Sequence, residues 1–271
     1  KLAMKARLIE RGVPTAAYRI VEVPADVDEF IGAHGLPVVV KAPDLQGSQG
    51  VTIARTRDEA VAALENAREL SFSSRVLVEE FLDGVELGAQ AMVSGGRVSF
   101  VLVHDDQMFD GAVPVPMGHS IPTDLPPAAV EACDAAVRQA ISAIGLDDCA
   151  VNVDLMIVDG DPFIIELTGR AGANGLCEIV SHGFGVDYPG IIADLAMGDR
   201  STQTALTPEG GAPAVLSTMV TPPGATGTIP PEGIAPVVAP EGTECSVFPA
   251  PGESVGAFES SNDYVGQVIA W

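Results

Sequence analysis

The stretch from Ala150 to Thr168 constrains the fold of this chain more than any other. Asn152, Asp154 and Met156 alternate with Val151, Val153, Leu155 and Ile157, the two-residue period of a strand with one apolar face. Phe163-Ile164-Ile165-Glu166-Leu167-Thr168 comes back after Asp159-Gly160, a pair that favours a tight hairpin. Register then decides the chemistry. A three-residue turn over 159–161 sets Asp154 directly opposite Glu166 and Asn152 opposite Thr168. Facing carboxylates stand about 4.5–5.5 Å apart at Cβ and repel. A divalent cation turns that repulsion into a site, and Mg²⁺ takes oxygen ligands from one or two carboxylates plus phosphates. A two-residue turn sends the acids to opposite faces and leaves ordinary hairpin residues. Arg170 shares the parity of Glu166 and Thr168 and reaches the same place if the strand runs that far.

The rest of the chain reads as short strands between helices. Residues 1–12 carry the stripe of a helix that begins in mid-stride at Lys1, so a segment upstream is expected; Gly12 and Pro14 end it. Strands are expected over 18–23, 36–42, 51–54 and 75–82, with helices over 27–34 and 57–70. Val85–Val93 and Arg97–His104 read as antiparallel partners around Ser94-Gly95-Gly96. A Pro-rich loop over 114–127 precedes a helix to Ile144, and two further helices run to about Met197. Ten of 21 prolines and nine of 29 glycines fall after residue 200, between short β-type runs such as 214–220 and 245–248, which marks a small β-rich unit. The architecture is α+β with largely antiparallel sheets. The expected division is 1–14 (entering helix), 15–82 (small lobe), 83–200 (core lobe with the acid pair) and 201–271 (β-rich C-terminal subdomain).

Charge narrows the function. Fourteen Lys+Arg against 37 Asp+Glu give a net charge of −23, which repels phosphate backbones and anionic lipid, so nucleic acid and membrane are disfavoured as partners. No apolar run approaches the length of a membrane span. The four cysteines have neither metal-knuckle nor redox spacing, so reduced core thiols and a cytoplasmic location are expected. Only three lysines exist, at 1, 5 and 41, and none of either basic type follows residue 200.

Lys41 closes the apolar run Val38-Val39-Val40, a costly place for an ammonium unless an anion sits nearby. The loop Gly47-Ser48-Gln49-Gly50 follows it, and its backbone N–H groups and hydroxyl suit phosphate oxygens. The lysine precedes the glycines, so this is not a Walker A loop. Val78-Glu79-Glu80-Phe81-Leu82 then leads to Glu86; such a segment can offer main-chain groups at 80–82 to a flat heterocycle and Glu86 to a ribose diol. Read alone, these acids also fit a solvated strand end.

In this order and spacing the pieces resemble the ATP-grasp superfamily. Lys1 lies 13 residues before Pro14 of Gly12-Val13-Pro14, Lys41 precedes the Gly/Ser loop, Glu79 precedes Glu86 by seven, Glu166 follows Asp154 by 12, and Arg170 is four further on. The resemblance spans residues 1 to about 200. Glu166-Leu167-Thr168-Gly169-Arg170 through Asn174, with the β-rich tail, resembles the carboxylate–amine ligases of the L-amino-acid (dipeptide) ligase type. It implies a two-lobed ATP-grasp fold whose family N-terminal α/β domain is absent from this chain. It also implies ATP with one or two Mg²⁺ ions (Mn²⁺ can substitute), an acyl-phosphate route to an amide, and release of ADP and phosphate.

By that resemblance Lys1, Lys41 and residues Gly47, Ser48, Gln49 and Gly50 hold phosphates. Glu79, Glu80, Phe81 and Leu82 seat adenine, Glu86 takes the ribose, and Asp154, Glu166 and Thr168 hold metal. Lys41 and Arg170 are the implied catalytic residues, and Arg170 and Asn174 touch substrate, with His119 a candidate for the acceptor pocket. The implied partners are a small carboxylate and a small amine, amino acids by the resemblance, and a homodimer is compatible with it. Two positions depart from the family pattern: Thr168 stands where the family has an Asn ligand, and Asp154 replaces the more usual Glu. Asn152 is a possible substitute for the missing ligand. A carboxylase or purine-pathway type enzyme working through carboxyphosphate or formyl phosphate, and a nucleotide-binding module without turnover, are the alternatives. His104 and His182 read as ordinary polar residues, since neither belongs to a sequence cluster of ligands.

Overall fold

The computed structural model describes residues 1–108, 116–201, 214–220, 227–232, 238–256 and 263–271. Helix α1 (Leu2–Glu10) enters a small antiparallel sheet of β1 (Tyr18–Val21), β2 (Val38–Lys41), β3 (Val51–Ala54) and β4 (Val76–Glu80), in the order β1-β4-β2-β3. Helices α2 (Pro24–His34) and α3 (Arg57–Leu70) bury Val27, Phe30 and Leu64 against Val38, Val40, Val76 and Val78. Thr56 caps α3 by accepting from the Glu59 N–H, and Glu59 reaches back to the Arg55 N–H, the reciprocal pattern that fixes a helix start. Strand parity then sends Lys41, Leu77 and Glu79 to the face away from those helices.

The second sheet has eight strands, every neighbouring pair antiparallel. It comprises β5 (Val85–Ser94), β6 (Arg97–Met108), β7 (Pro116–Ile121), β8 (Cys149–Val158), β9 (Asp161–Thr168), β10 (Val215–Val220), β12 (Thr243–Val247) and β14 (Gly266–Ala270). Their order is β12-β14-β10-β7-β6-β5-β8-β9. The short pair β11 (Gly227–Thr228) and β13 (Ser254–Val255) stands separately. Three strands from the Pro-rich end therefore extend the large sheet. One face is closed by α1 and α4 (Pro127–Ile144), which pack Leu8, Val137 and Ile141 on Leu87, Ala89, Val151, Val153 and Leu155. On the other face α5 (Leu176–Phe184) and α6 (Tyr188–Ala196) cover Met92, Phe100 and Ala150. Farther along the same strands this face turns polar: Glu86, Gly88, His104, Asp106, His119, Asp154 and Glu166 occupy it.

Two stretches differ from the sequence expectation. Strand β6 continues four residues past His104, and β7 forms inside the Pro-rich segment that reads as loop. Pro116 sits at the first position of its strand, where a missing N–H costs the ladder least. Residues 109–115 of that segment lie outside the described residues.

Candidate functional site

The hairpin of β8 and β9 turns on two residues, Asp159 and Gly160, both with positive φ (53° and 93°), and Val158 pairs with Asp161. Of the two turns the sequence allows this is the shorter, and its unbroken register would put Glu166 on the core face. A bulge corrects it: Leu155 pairs with Ile164, yet Asp154 pairs with Glu166 and Asn152 with Thr168, so Ile165 is the extra residue. The two acids face one another after all, through a slip in one strand.

Their environment makes two negative charges costly without a cation. Burial, then Glu166, then Asp106 push the Asp154 carboxyl up to about 6, against a hydrogen bond from Asn152 Nδ2 at 3.1 Å. Glu86 rises to about 7 through burial, Asp106 and Asp154. The Thr168 hydroxyl oxygen is buried without a partner. Asn152 is not turned to replace it: its Oδ1 accepts from Gln90 Nε2 at 2.6 Å, and Gln90 Oε1 accepts from the Gly172 N–H at 3.0 Å.

The anion that Lys41 needs is Glu79, 2.8 Å away and 2% exposed. Glu79 Oε2 also binds Lys5 at 3.1 Å, while its Oε1 is buried and unpartnered. One carboxylate thus serves two ammonium groups, a local excess of positive charge. Burial pulls the Lys5 pKa down, with Glu79 opposing. Lys5 donates to Thr15 Oγ1 (3.0 Å), which donates to the Ile164 carbonyl (2.7 Å), next to the bulge. Lys5 was not singled out by the sequence; its place one turn after Lys1 on α1 was the available signal. Lys1 itself spans the lobes, donating to the Leu45 carbonyl (2.9 Å) and pairing with Glu166 (3.4 Å).

The loop after Lys41 has positive φ at Gly47, Ser48 and Gly50 (64°, 59° and 66°), and the Ala42 N–H binds the Gly50 carbonyl. In the 79–82 segment the Glu79 side chain is committed to the lysines, and Glu80 Oε1 accepts from the Ala17 N–H at 2.8 Å. Gln49 is exposed, and Phe81 and Leu82 are half-buried. Arg170 lies beyond the end of β9 at Thr168, so the strand stops short of it; its guanidinium is exposed and donates to the Ala171 carbonyl. Asn174 (φ 58°) accepts from Ser217 Oγ at 3.0 Å and lines a cavity of about 260 Å³ with Met219, Phe248, Tyr264 and Gln267.

The reading of His104 needs correction. His104 and His119 converge on one oxygen of Asp106, at 2.8 and 2.6 Å, with both rings buried. The two histidines are 15 positions apart and Asp106 is opposite His119 only because β7 exists, so spacing could not group them. His182 stacks on Trp271, centroids 3.9 Å apart. Of the four cysteines only Cys133 is fully buried.

Comparison with known proteins agrees with this geometry. The sequence profile of the phosphoribosylglycinamide synthetase ATP-grasp (A) domain matches residues 1–173. A D-alanine–D-alanine ligase of Gloeobacter violaceus is 32% identical over 214 residues, covering 74% of this chain and 68% of that protein. A phosphoribosylamine–glycine ligase of Streptococcus pyogenes is 30% identical over 210 residues, covering 72% of this chain, which spans only 49% of that relative's length. The structure of phosphoribosylglycinamide synthetase from Anaerococcus prevotii superposes with a TM-score of 0.74 at 32% identity, over 99% of this chain and 67% of that one. The likeness of fold extends to an L-amino acid ligase of Bacillus licheniformis, TM-score 0.75 at 20% identity, over 100% of this chain and 66% of that one. None of the described helices is long and apolar enough to cross a membrane. This chain, whose two antiparallel lobes are joined by Lys1 from the acid hairpin of one to the Leu45 carbonyl of the other, belongs to the ATP-grasp superfamily, in its branch of carboxylate–amine ligases.

Proposed function

We propose that the full-length protein is an ATP-dependent carboxylate–amine ligase that forms an amide through an acyl phosphate, with ADP and phosphate released. The observation that carries this is the Asp154–Glu166 pair, brought face to face by the bulge and bridged by Lys1 to the Leu45 carbonyl of the other lobe. The facing carboxylates of Asp154 and of the partly exposed Glu166, with the orphaned Thr168 hydroxyl, are oxygen-only donors that fit one Mg²⁺. When bound, that ion neutralises phosphate charge and orients the nucleotide. In this reading Lys1, Lys41 and the positive-φ loop after Lys41 provide cations and N–H groups for the phosphates, and Glu86 takes a ribose hydroxyl. Arg170, exposed and without an ion-pair partner among the described residues, is free to take the acid substrate or its phosphorylated form. Such groups act by standing in place before charge develops. Amino acids are the proposed substrates, and the cytoplasm the proposed compartment.

The test is ADP release by the full-length protein across acid and amine pairs, with Mg²⁺ titrated. Glu166→Gln and Lys41→Met are each expected to lower turnover by ~10²–10³, the scale for one charge-stabilising group. Nucleotide binding with no ADP release for any pair would point to a module without turnover. ADP release that needs bicarbonate and no amine would point to carboxyphosphate chemistry.

A further inference from the structure

We infer that His119, oriented by Asp106, is the base that removes a proton from the incoming amine, with His104 a second positioning residue. This rests on the ligase reading above and deepens it. At neutral pH an aliphatic amine is an ammonium ion with no lone pair to offer. Amide formation therefore needs one proton removed before attack and a second afterwards. In the proposed step the ammonium N–H proton passes to His119 Nε2. The freed nitrogen pair forms the C–N bond, the acyl C–O bond breaks, and its electron pair leaves on phosphate, which takes the second proton. His119 then returns its proton to solvent.

The geometry is specific. Asp106 Oδ1 accepts from the Nδ1 atoms of both histidines, at 2.8 Å from His104 and 2.6 Å from His119. Those two bonds place each Nδ1 proton toward Asp106 and each lone pair on Nε2. Asp106 is anionic, because the two histidines hold its carboxyl far below the usual range despite its burial. Burial foremost keeps the His119 pKa low, with Asp106 opposing and His104 assisting, so the ring is neutral and able to accept. The rings meet edge to face, centroids 5.1 Å apart.

Position separates the two roles. His104 is sealed in: a Cβ on Gly88 would stand 2.0 Å from its Cε1, so the ring occupies the hollow that glycine leaves, and its Nε2 is buried without a partner. His119, itself buried, lies one strand nearer β10 on the same sheet face. Ser217 stands directly opposite it on β10 and bonds the Asn174 carbonyl, at the rim of the 260 Å³ cavity. On the other side Asp106 and His104 lead through Gly88 to Asp154, its neighbour on β8. The base thus lies between the paired acids and the cavity. Carboxylate-oriented histidines serve this purpose well, and loss of a general base costs ~10²–10⁴ in rate.

Hydroxylamine makes the test decisive, because its nitrogen is unprotonated at neutral pH and needs no base. The full-length protein is given ATP, Mg²⁺ and glycine, D-alanine or L-alanine as the acid. Hydroxamate formation with hydroxylamine is compared with amide formation using the same amino acids as amines. His119→Ala and His119→Gln are expected to keep hydroxamate formation within about threefold and lose amide formation by ~10²–10⁴, and Asp106→Asn to show the same split more weakly. Added imidazole should restore part of the amide rate of His119→Ala. Amide and hydroxamate falling together in His119→Gln and Asp106→Asn would overturn the inference, as would an unchanged amide rate. Stoichiometric zinc that is lost in both His119→Ala and Asp106→Asn would also overturn it, since His104, Asp106 and His119 would then be metal ligands. No hydroxamate from the unsubstituted protein with any acid would sink the ligase reading, and this inference with it.

Discussion

Glu79 holds two ammonium groups on one oxygen while its other oxygen is buried and bare. Removing one partner of a buried ion cluster leaves charge that nothing compensates, typically at a cost of ~3–5 kcal/mol. Here Lys5→Met still leaves Lys41 on Glu79, so the loss in urea unfolding is expected below that range, at about 2–3 kcal/mol. An unchanged midpoint would show that Lys5 is dispensable. Glu86 allows a signed test of pH. Its carboxyl is raised to about 7, so the folded state binds that proton more tightly than the unfolded chain does. The associated stability is fully present below the unfolded value near 4.5 and is lost as pH rises through about 7. Glu86→Gln removes that loss, so its stability relative to the parent is expected to climb by roughly 1–3 kcal/mol between pH 4.5 and 7.5. Thermal unfolding at several pH values measures it, and a flat difference would refute it. Lys41 and Asp154 were legible because strand period places them, and Glu166 only under one of the two turns the sequence allows. Lys5 and Asp106 were not: an isolated lysine on a helix and an acid in a strand become partners only once separate elements pack.

At the scale of elements, the acid hairpin shows what register reasoning can reach. The alternation along β8 identified its polar face, but the two-residue turn predicts opposite faces for Asp154 and Glu166. The bulge at Ile165 reverses that outcome. Ile164-Ile165 offers two similar β-branched residues, either of which satisfies a strand locally, so no composition marks the extra one. The chain outside the hairpin supplies the reason: Ile164 is fixed by its N–H on the Pro14 carbonyl and its own carbonyl on Thr15 Oγ1. Thr15→Val cuts the second tie and leaves Lys5 one acceptor short, and is expected to cost ~0.5–1.5 kcal/mol in urea unfolding. A silent Thr15→Val would mean the bulge is held by packing alone. Strand β7 escaped notice for a different reason, because prolines and a glycine interrupt the alternation of Met117, His119 and Ile121. With it went the Asp106–His119 pairing.

For the molecule as a whole, the two-lobed plan and the family were legible from ordered motifs spread over the first 200 residues. The joining of the Pro-rich end to the large sheet was not, because β10, β12 and β14 pair across long separations in sequence. The distribution of charge has a practical result. All three lysines lie within the structure: Lys5 and Lys41 are 1% and 8% exposed, and Lys1 is engaged with Leu45 and Glu166. Over this chain, then, no lysine projects from the outer surface, and an amine-acylating reagent meets its only ε-amino targets inside the groove between the lobes. Peptide mapping by mass spectrometry after brief acylation is expected to show Lys1 and Lys41 shielded by ATP with Mg²⁺, and Lys5 unmodified in either condition. Equal labelling of Lys1 and Lys41 with and without nucleotide would contradict that expectation. A reagent ordinarily used to map exteriors becomes, for this molecule, a gauge of whether its interior groove is filled.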